Sequence, residues 1–325
     1  MTRTARRRWS REFQGEIDGI ALGETGPVIL HGYDPPAGGK WIDNVIPGKL
    51  GAYDRGTGEQ RWVSPCEVGY GRGFGCGLGE EDDVVILGPS IKSHRIARMS
   101  LSTGELLGAS EIRPFDQALV FGDVCLTVTP QRVTGILTSA MIEVWSHARD
   151  GERYHLVGRI GPHAYVVFTD TNRKRQGVLR LDLESGDFVD AFLDADLPVI
   201  HELVCADDQC VVLAGNRVPS RPGQASPPQE LRLEAFRSGE TGAIPLWREV
   251  LADESDELPD VSISLDSGKL YLARGAMLEV RDALSGRMLG ELTLPGLDER
   301  VAFQVAQGAG LLAEETRASV FELPA

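Results

Sequence analysis

The sequence predicts an all-β fold, a ring of repeated four-stranded sheets of the β-propeller type, and three observations lead there. Short runs rich in Val, Leu and Ile, such as "PVILHG", "DVVILG", "VCLTVT", "AYVVFTD", "CVVLAG" and "KLYLARG", recur between Gly, Asp and Pro, as β-strands do. Helical periodicity is nearly absent. A turn with a Thr-Gly or Ser-Gly pair returns at Gly58, Gly104, Gly186, Gly242 and Gly286, which are 46, 82, 56 and 44 residues apart. The 82-residue gap holds a divergent copy, "VFGDVCLTVTPQRVTGILTSAMIEVWSHARDGERYHL". A period near 45–50 residues with several strands per copy is the signature of propeller blades.

The blades follow in order along the chain. Seven are expected, over about 18–65, 68–113, 116–155, 156–195, 200–251, 258–296, and 300–325 joined by 5–14. The last is composite: "AGLLAEETRASVFELPA" offers too few strands alone, and "RRRWSREF" around Trp9 parallels "QRWVSP" around Trp62. Residues 1–14 therefore supply the outer strand of the last blade, so that residues 1–325 make one closed domain with no free sheet edge in the ring. Each Thr/Ser-Gly pair is read as the tight turn between two strands, with glycine supplying the positive φ.

The most complete copy is "AYDRGTGEQRW", with Ala52, Asp54, Thr57, Gly58 and Trp62 at fixed offsets. Weaker copies are "RMSLSTGELLG", "RLDLESGDFVD", "AFRSGETGAIPLW" and "VRDALSGRMLG". The pattern Ala-x-Asp-x-x-Thr-Gly-x-x-x-Trp resembles the repeat of the quinoprotein alcohol dehydrogenase-like propellers, the PQQ-like repeat family. The resemblance implies that the repeat's tryptophan lies flat on backbone of the adjacent blade. In "GYGRGFGCGLG", Gly69–Gly79, glycine at every second position would leave one strand face bare. That face is the expected landing place for Trp62. The resemblance does not extend to the quinone: the vicinal cysteine pair and the larger eight-bladed ring that it implies are missing, so no cofactor is predicted.

Composition narrows the function. Thirty-three Lys and Arg against 48 Asp and Glu give a net charge of −15, which argues against a nucleic-acid partner, because phosphate binding needs Lys and Arg that outnumber the local carboxylates. No apolar run approaches 18 residues, so no membrane span is expected. No apolar segment follows the basic start "MTRTARRRWSREF", and five dispersed cysteines form no disulfide framework; both point to a cytoplasmic protein with reduced thiols.

Two insertions interrupt the strand rhythm, "HGYDPPAGGKWIDNVIP" from His31 to Pro47 and "NRVPSRPGQASPPQ" in the fifth blade. Long insertions on one face are where such scaffolds carry function. The first holds His31, Tyr33, Asp34, Lys40, Trp41, Asp43 and Asn44, and the connection to the second blade adds Tyr70 and Arg72. Two function classes follow. A binding scaffold would use the channel face, with Tyr33, Lys40, Trp41, Asn44 and Tyr70 contacting a protein partner or small molecule. A small lyase or hydrolase would use His31 or His201 as base, Asp34 or Asp43 as its orienter and Arg72 as an anion clamp. A loop packed on the rim is the plainer account of the same residues. The "GYGRGFG" stretch lacks G-x-G-x-x-G, and "HELVC" at His201 lacks the second histidine of a zinc-protease helix. The acidic turns "GEEDD" and "ADESDE" offer oxygens for calcium, though without the spacing of a known loop.

Overall fold

The computed structural model describes residues 3–23, 26–34, 46–70, 73–90, 93–172, 175–193, 199–206, 209–215, 230–239, 242–253 and 261–323. Among them are seven sheets, five of them built wholly from antiparallel strands consecutive in the chain. The first holds Glu16–Leu22, Val28–Tyr33, Ile46–Tyr53 and Gln60–Tyr70; the second Gly75–Leu78, Asp83–Pro89, His94–Ser100 and Leu106–Ile112. The third runs from Gln117–Phe121 to Ile142–His147, the fourth from Glu152–Ile160 to Phe188–Leu193, and the fifth from Val199–Ala206 to Gly242–Asp253. Val261–Asp266 to Met288–Thr293 form the sixth, whose outer edge gains Arg3–Thr4 as a parallel fifth strand. The seventh consists of Ala302–Ala306, Ala309–Ala313 and Arg317–Glu322, completed on the outside by Arg6–Glu12. Seven blades and the composite last one match the sequence expectation. The third and fourth blades divide earlier than expected, because a turn at 148–151 separates Ile142–His147 from Glu152–Ile160.

The chain separates into two compact units. One contains residues 5–149, 183–186 and 299–325, and so the first, second, third and seventh blades; the other contains residues 1–4, 150–182 and 187–298, with the fourth, fifth and sixth. Within the first unit, every residue of Val28–Tyr33, Asp83–Pro89 and Ala309–Ala313 is buried. These second strands have neighbours on both faces, so they read as continuous apolar runs rather than alternating ones. Val28 and Leu30 pack with Leu311 and Val320 of the seventh blade, while Ile29 faces Val84 and Ile86 of the second.

The repeat motif has a physical reason at each position. Asp54 Oδ1 accepts hydrogen bonds from the Gly56 and Thr57 amides, both at 2.9 Å, and from the Thr57 hydroxyl at 3.1 Å. Asp282 repeats this with Ser285, at 2.8 Å to the amide and 2.6 Å to the hydroxyl. The Thr57 amide, with Arg61 beside it, holds the Asp54 carboxyl down to about 2. The depressed pKa contributes stability above the ordinary value near 3.8 and loses it as pH falls toward 2. Asp54→Ala is expected to cost about 1 kcal/mol at neutral pH. Urea midpoints measured down the pH scale should show the difference from the native chain shrinking between pH 4 and 2.

The turn glycines Gly58, Gly104, Gly186 and Gly286 have φ of 69, 73, 74 and 71°, a region that side chains disfavour. Each is also covered by an indole. Trp9, Trp62, Trp145 and Trp247 lie against Gly58, Gly104, Gly186 and Gly286, at 2.6, 2.6, 2.5 and 2.8 Å from where a Cβ would stand. Their Nε1–H groups donate to the carbonyls of Arg55, Leu101, Leu183 and Ala283, each three residues before the glycine, at 2.9, 2.8, 2.7 and 2.8 Å. The residue paired beside the indole in its own sheet is small, Ala52 for Trp62, Gly135 for Trp145 and Ala235 for Trp247.

This corrects the expectation for Trp62, which docks on the turn at Gly104 and not on the glycines of 69–79. Those glycines serve a different contact. A Cβ at Gly75 would lie 2.7 Å from Ala118 Cβ, and one at Gly77 would lie 2.6 Å from Val120 Cβ. The bare face lets the first strands of the second and third blades approach backbone to side chain. Nor is the stretch one strand: Gly73 has φ of 79°, and Gly75–Leu78 starts only after it.

Candidate functional site: a sealed histidine in the first blade

His31 lies on the second strand of the first blade with no exposed surface. Across from it the first strand carries a β-bulge: Ile17 pairs with Gly32 and Gly19 with His31, leaving Asp18 as the extra residue. A bulge re-aims the side chain it frees. Asp18 Oδ1 accepts from His31 Nδ1 at 2.5 Å, and Val68 O accepts from Nε2 at 3.2 Å. The Cys66 thiol donates to the same carbonyl at 3.0 Å. Phe74 covers the imidazole, with ring centroids 4.5 Å apart. Gly48 is required at this point, because a Cβ there would run into both His31 Nε2 and Val68 O.

Burial opposes charge on the His31 ring, but the hydrogen bonds it makes and the attraction of the Asp18 carboxylate outweigh it and raise the pKa from 6.5 to about 10. At neutral pH both ring nitrogens therefore carry protons and both are engaged. Such a group can hold two strands together; it has no lone pair to accept a substrate proton. Burial pushes the thiols of Cys76 and Cys125 well above the usual range, which keeps them protonated and unreactive.

The other expected site residues are placed as follows. Asp34 is not the partner of His31: its Oδ1 accepts from Lys49 Nζ at 2.6 Å. The bulge puts Asp18 beside the imidazole instead. Tyr33 is buried, with its hydroxyl donating to Glu16 Oε2 at 2.6 Å, so its ring offers no aromatic surface. His201 belongs to the other unit, on the first strand of the fifth blade, where a bulge between Ile200 and Glu202 makes it the extra residue. Burial lowers the pKa of nearby His155, and His201 adds to that. Cys205 and Cys210 face each other across their hairpin as expected. Lys40, Trp41, Asp43, Asn44 and Arg72 lie outside the described residues, as does the side chain of Tyr70. In the acidic turn Gly79–Asp83, Glu81 and Asp83 both accept from Arg98, at 2.7 and 2.5 Å. Among the described residues no three His, Cys, Asp or Glu side chains are grouped to hold a metal ion. Residues 254–257 of the second acidic turn are outside the described set.

Sequence reasoning missed Asp18 and Cys66. The signal available was "EIDGIAL", in which Asp-Gly interrupts an apolar strand and marks a bulge.

No family model and no curated protein sequence matches the chain. Solved structures do. The Kuenenia stuttgartiensis hydrazine synthase chain superposes with a TM-score of 0.67 at 10% identity, covering 96% of this chain and 96% of that one. The Cps50 (Swd1) β-propeller domain from Myceliophteria thermophila superposes with a TM-score of 0.66 at 10% identity, covering 98% and 100%. The fold is a seven-bladed β-propeller. At this identity the likeness establishes architecture alone, and function has to come from the residues. Among the described residues of this propeller, no helix is long and apolar enough to cross a membrane.

Proposed function

We propose that residues 1–325 form a single PQQ-like propeller that acts as a cytoplasmic binding scaffold, engaging a protein or small-molecule partner through its channel face and the insertion between Tyr33 and Ile46. The PQQ-like assignment is supported by the four docked tryptophans, each flat on a turn glycine and bonded to the carbonyl three residues earlier. The scaffold reading is carried by His31. The histidine best placed by sequence to serve as a base is buried, bonded at both nitrogens and charged at neutral pH. An acidic scaffold with a net charge of −15 favours cationic partners and disfavours nucleic acid. Free thiols at Cys66, Cys76 and Cys125 accord with a reducing compartment.

The test uses two full-length variants. Trp41→Ala in the insertion is expected to abolish stoichiometric co-purification of a partner from the native host while leaving the urea midpoint unchanged. His201→Ala separates the enzyme reading: turnover of an ester or lyase substrate library that the native chain supports and this variant loses would replace the scaffold by a catalyst.

A further inference from the structure

The four docked tryptophans leave several junctions without an indole, among them that of the second and third blades. The tryptophan position, four residues after Gly104, is Gly108, and the turn position of the third blade is Met141 instead of glycine. The turn itself is preserved. Met141 N donates to Leu137 O at 2.8 Å, as Gly58 N does to Asp54 O, and Met141 takes a φ of 55° despite its side chain. Its Cε reaches 2.8 Å from where a Cβ on residue 108 would stand. The large group has moved from the strand to the turn, and an unbranched thioether fills less space than an indole.

A hollow of about 390 Å³ remains beside this junction, with Met141, Ile112 and Ile142 on its apolar side and Ser110, Glu111, Arg113 and Glu143 on its polar side. Along the two strands that border it, Leu106, Leu107, Ile142 and Val144 are 50, 55, 54 and 47% exposed. Leu106–Ile112 is the outermost strand of its sheet, paired on one side only among the described residues. Such an edge is a template for another strand.

We propose that this edge docks an extended segment of a partner protein, alternating aliphatic and basic residues, which adds as a fifth strand to Leu106–Ile112 and sets one aliphatic side chain against Met141 and Ile142 with a basic one beside Glu111. The chain itself sets the precedent. At the sixth blade, Arg3–Thr4, from an arginine-rich segment, adds in parallel to Leu292 and Thr293 as a fifth strand. Charge selects the partner. Arg113 is matched by Glu143 at 3.4 Å, while Glu105 and Glu111 are exposed along the strand, so cationic side chains are favoured beside the aliphatic ones. The proposal concerns the blade rim and stands apart from the channel-face reading.

The test is fluorescence anisotropy with a labelled synthetic peptide of alternating Arg and Leu, alongside amide exchange of the full chain. Saturable binding is expected, with exchange over 106–112 slowed at least fivefold. Leu107→Lys, a substitution at an exposed position, should weaken binding at least tenfold, whereas Leu289→Lys on the sixth blade should not. A Glu-Leu peptide or a peptide with a central proline that binds equally well would overturn the proposal, as would absence of binding or protection confined to other strands. A dimer in sedimentation that protects 106–112 without peptide would assign the edge to a second copy and also overturn it.

Discussion

Trp145→Ala is expected to lower stability by about 4 kcal/mol, the cost of truncating a large aromatic in a close-packed setting. The indole is buried between Gly135 of its own sheet and the turn glycine Gly186, and it donates to Leu183 O at 2.7 Å. Alanine would leave a flat slot that rigid strands on both sides cannot close, and an orphaned carbonyl inside it. Trp145→Phe should cost less, since the ring still fills most of the slot. Gly186→Ala attacks the same dock from the other side, forcing a methyl toward the indole at a φ of 74°. Urea midpoints for the three variants should fall in the order Phe, then Gly186→Ala, then Trp145→Ala. Equal midpoints for native and Trp145→Ala would show that the dock contributes nothing to stability.

The second large effect belongs to the His31–Asp18 pair. A histidine whose pKa rises from 6.5 to about 10 on folding contributes stability that is fully present below pH 6.5 and lost as pH climbs to 10. The native urea midpoint should therefore decline between those limits, and His31→Gln should remove that slope. Asp18→Ala leaves a buried charge without its partner and is expected to cost about 3 kcal/mol at pH 7. The ring proton resonances of His31 should show no titration between pH 5 and 8. Titration near pH 6.5 would mean that the imidazole is neutral in the folded chain, and would reopen its candidacy as a base.

The blade count was legible because the repeat signal is local: Asp, Thr and Gly of the turn interact within five residues, and the strands of five blades are consecutive throughout. The closing role of Trp9 could also be read, since the residues around it match those around Trp62. The landing place of the indoles was not legible. It depends on which atoms of a neighbouring blade come within reach, and Gly75 and Gly104 look alike as letters. His31 posed the same difficulty. Its partner Asp18 stands 13 residues away and reaches it only because one extra residue bulges the facing strand. Asp34, nearer in sequence, bonds Lys49.

The composite seventh blade also sets a schedule. Arg6–Glu12 emerges from the ribosome well before Arg317–Glu322, the strand it pairs with. At ordinary elongation rates the early strand waits roughly 15–60 s for its partner. During that interval Trp9 has a turn to dock on, at Gly58, but no sheet to belong to. Arg6, Arg7 and Arg8 stand directly before it and lend the waiting segment charge. The strand that completes the seventh blade is thus made long before it finds its place, and that blade can close only once Arg317–Glu322 has emerged.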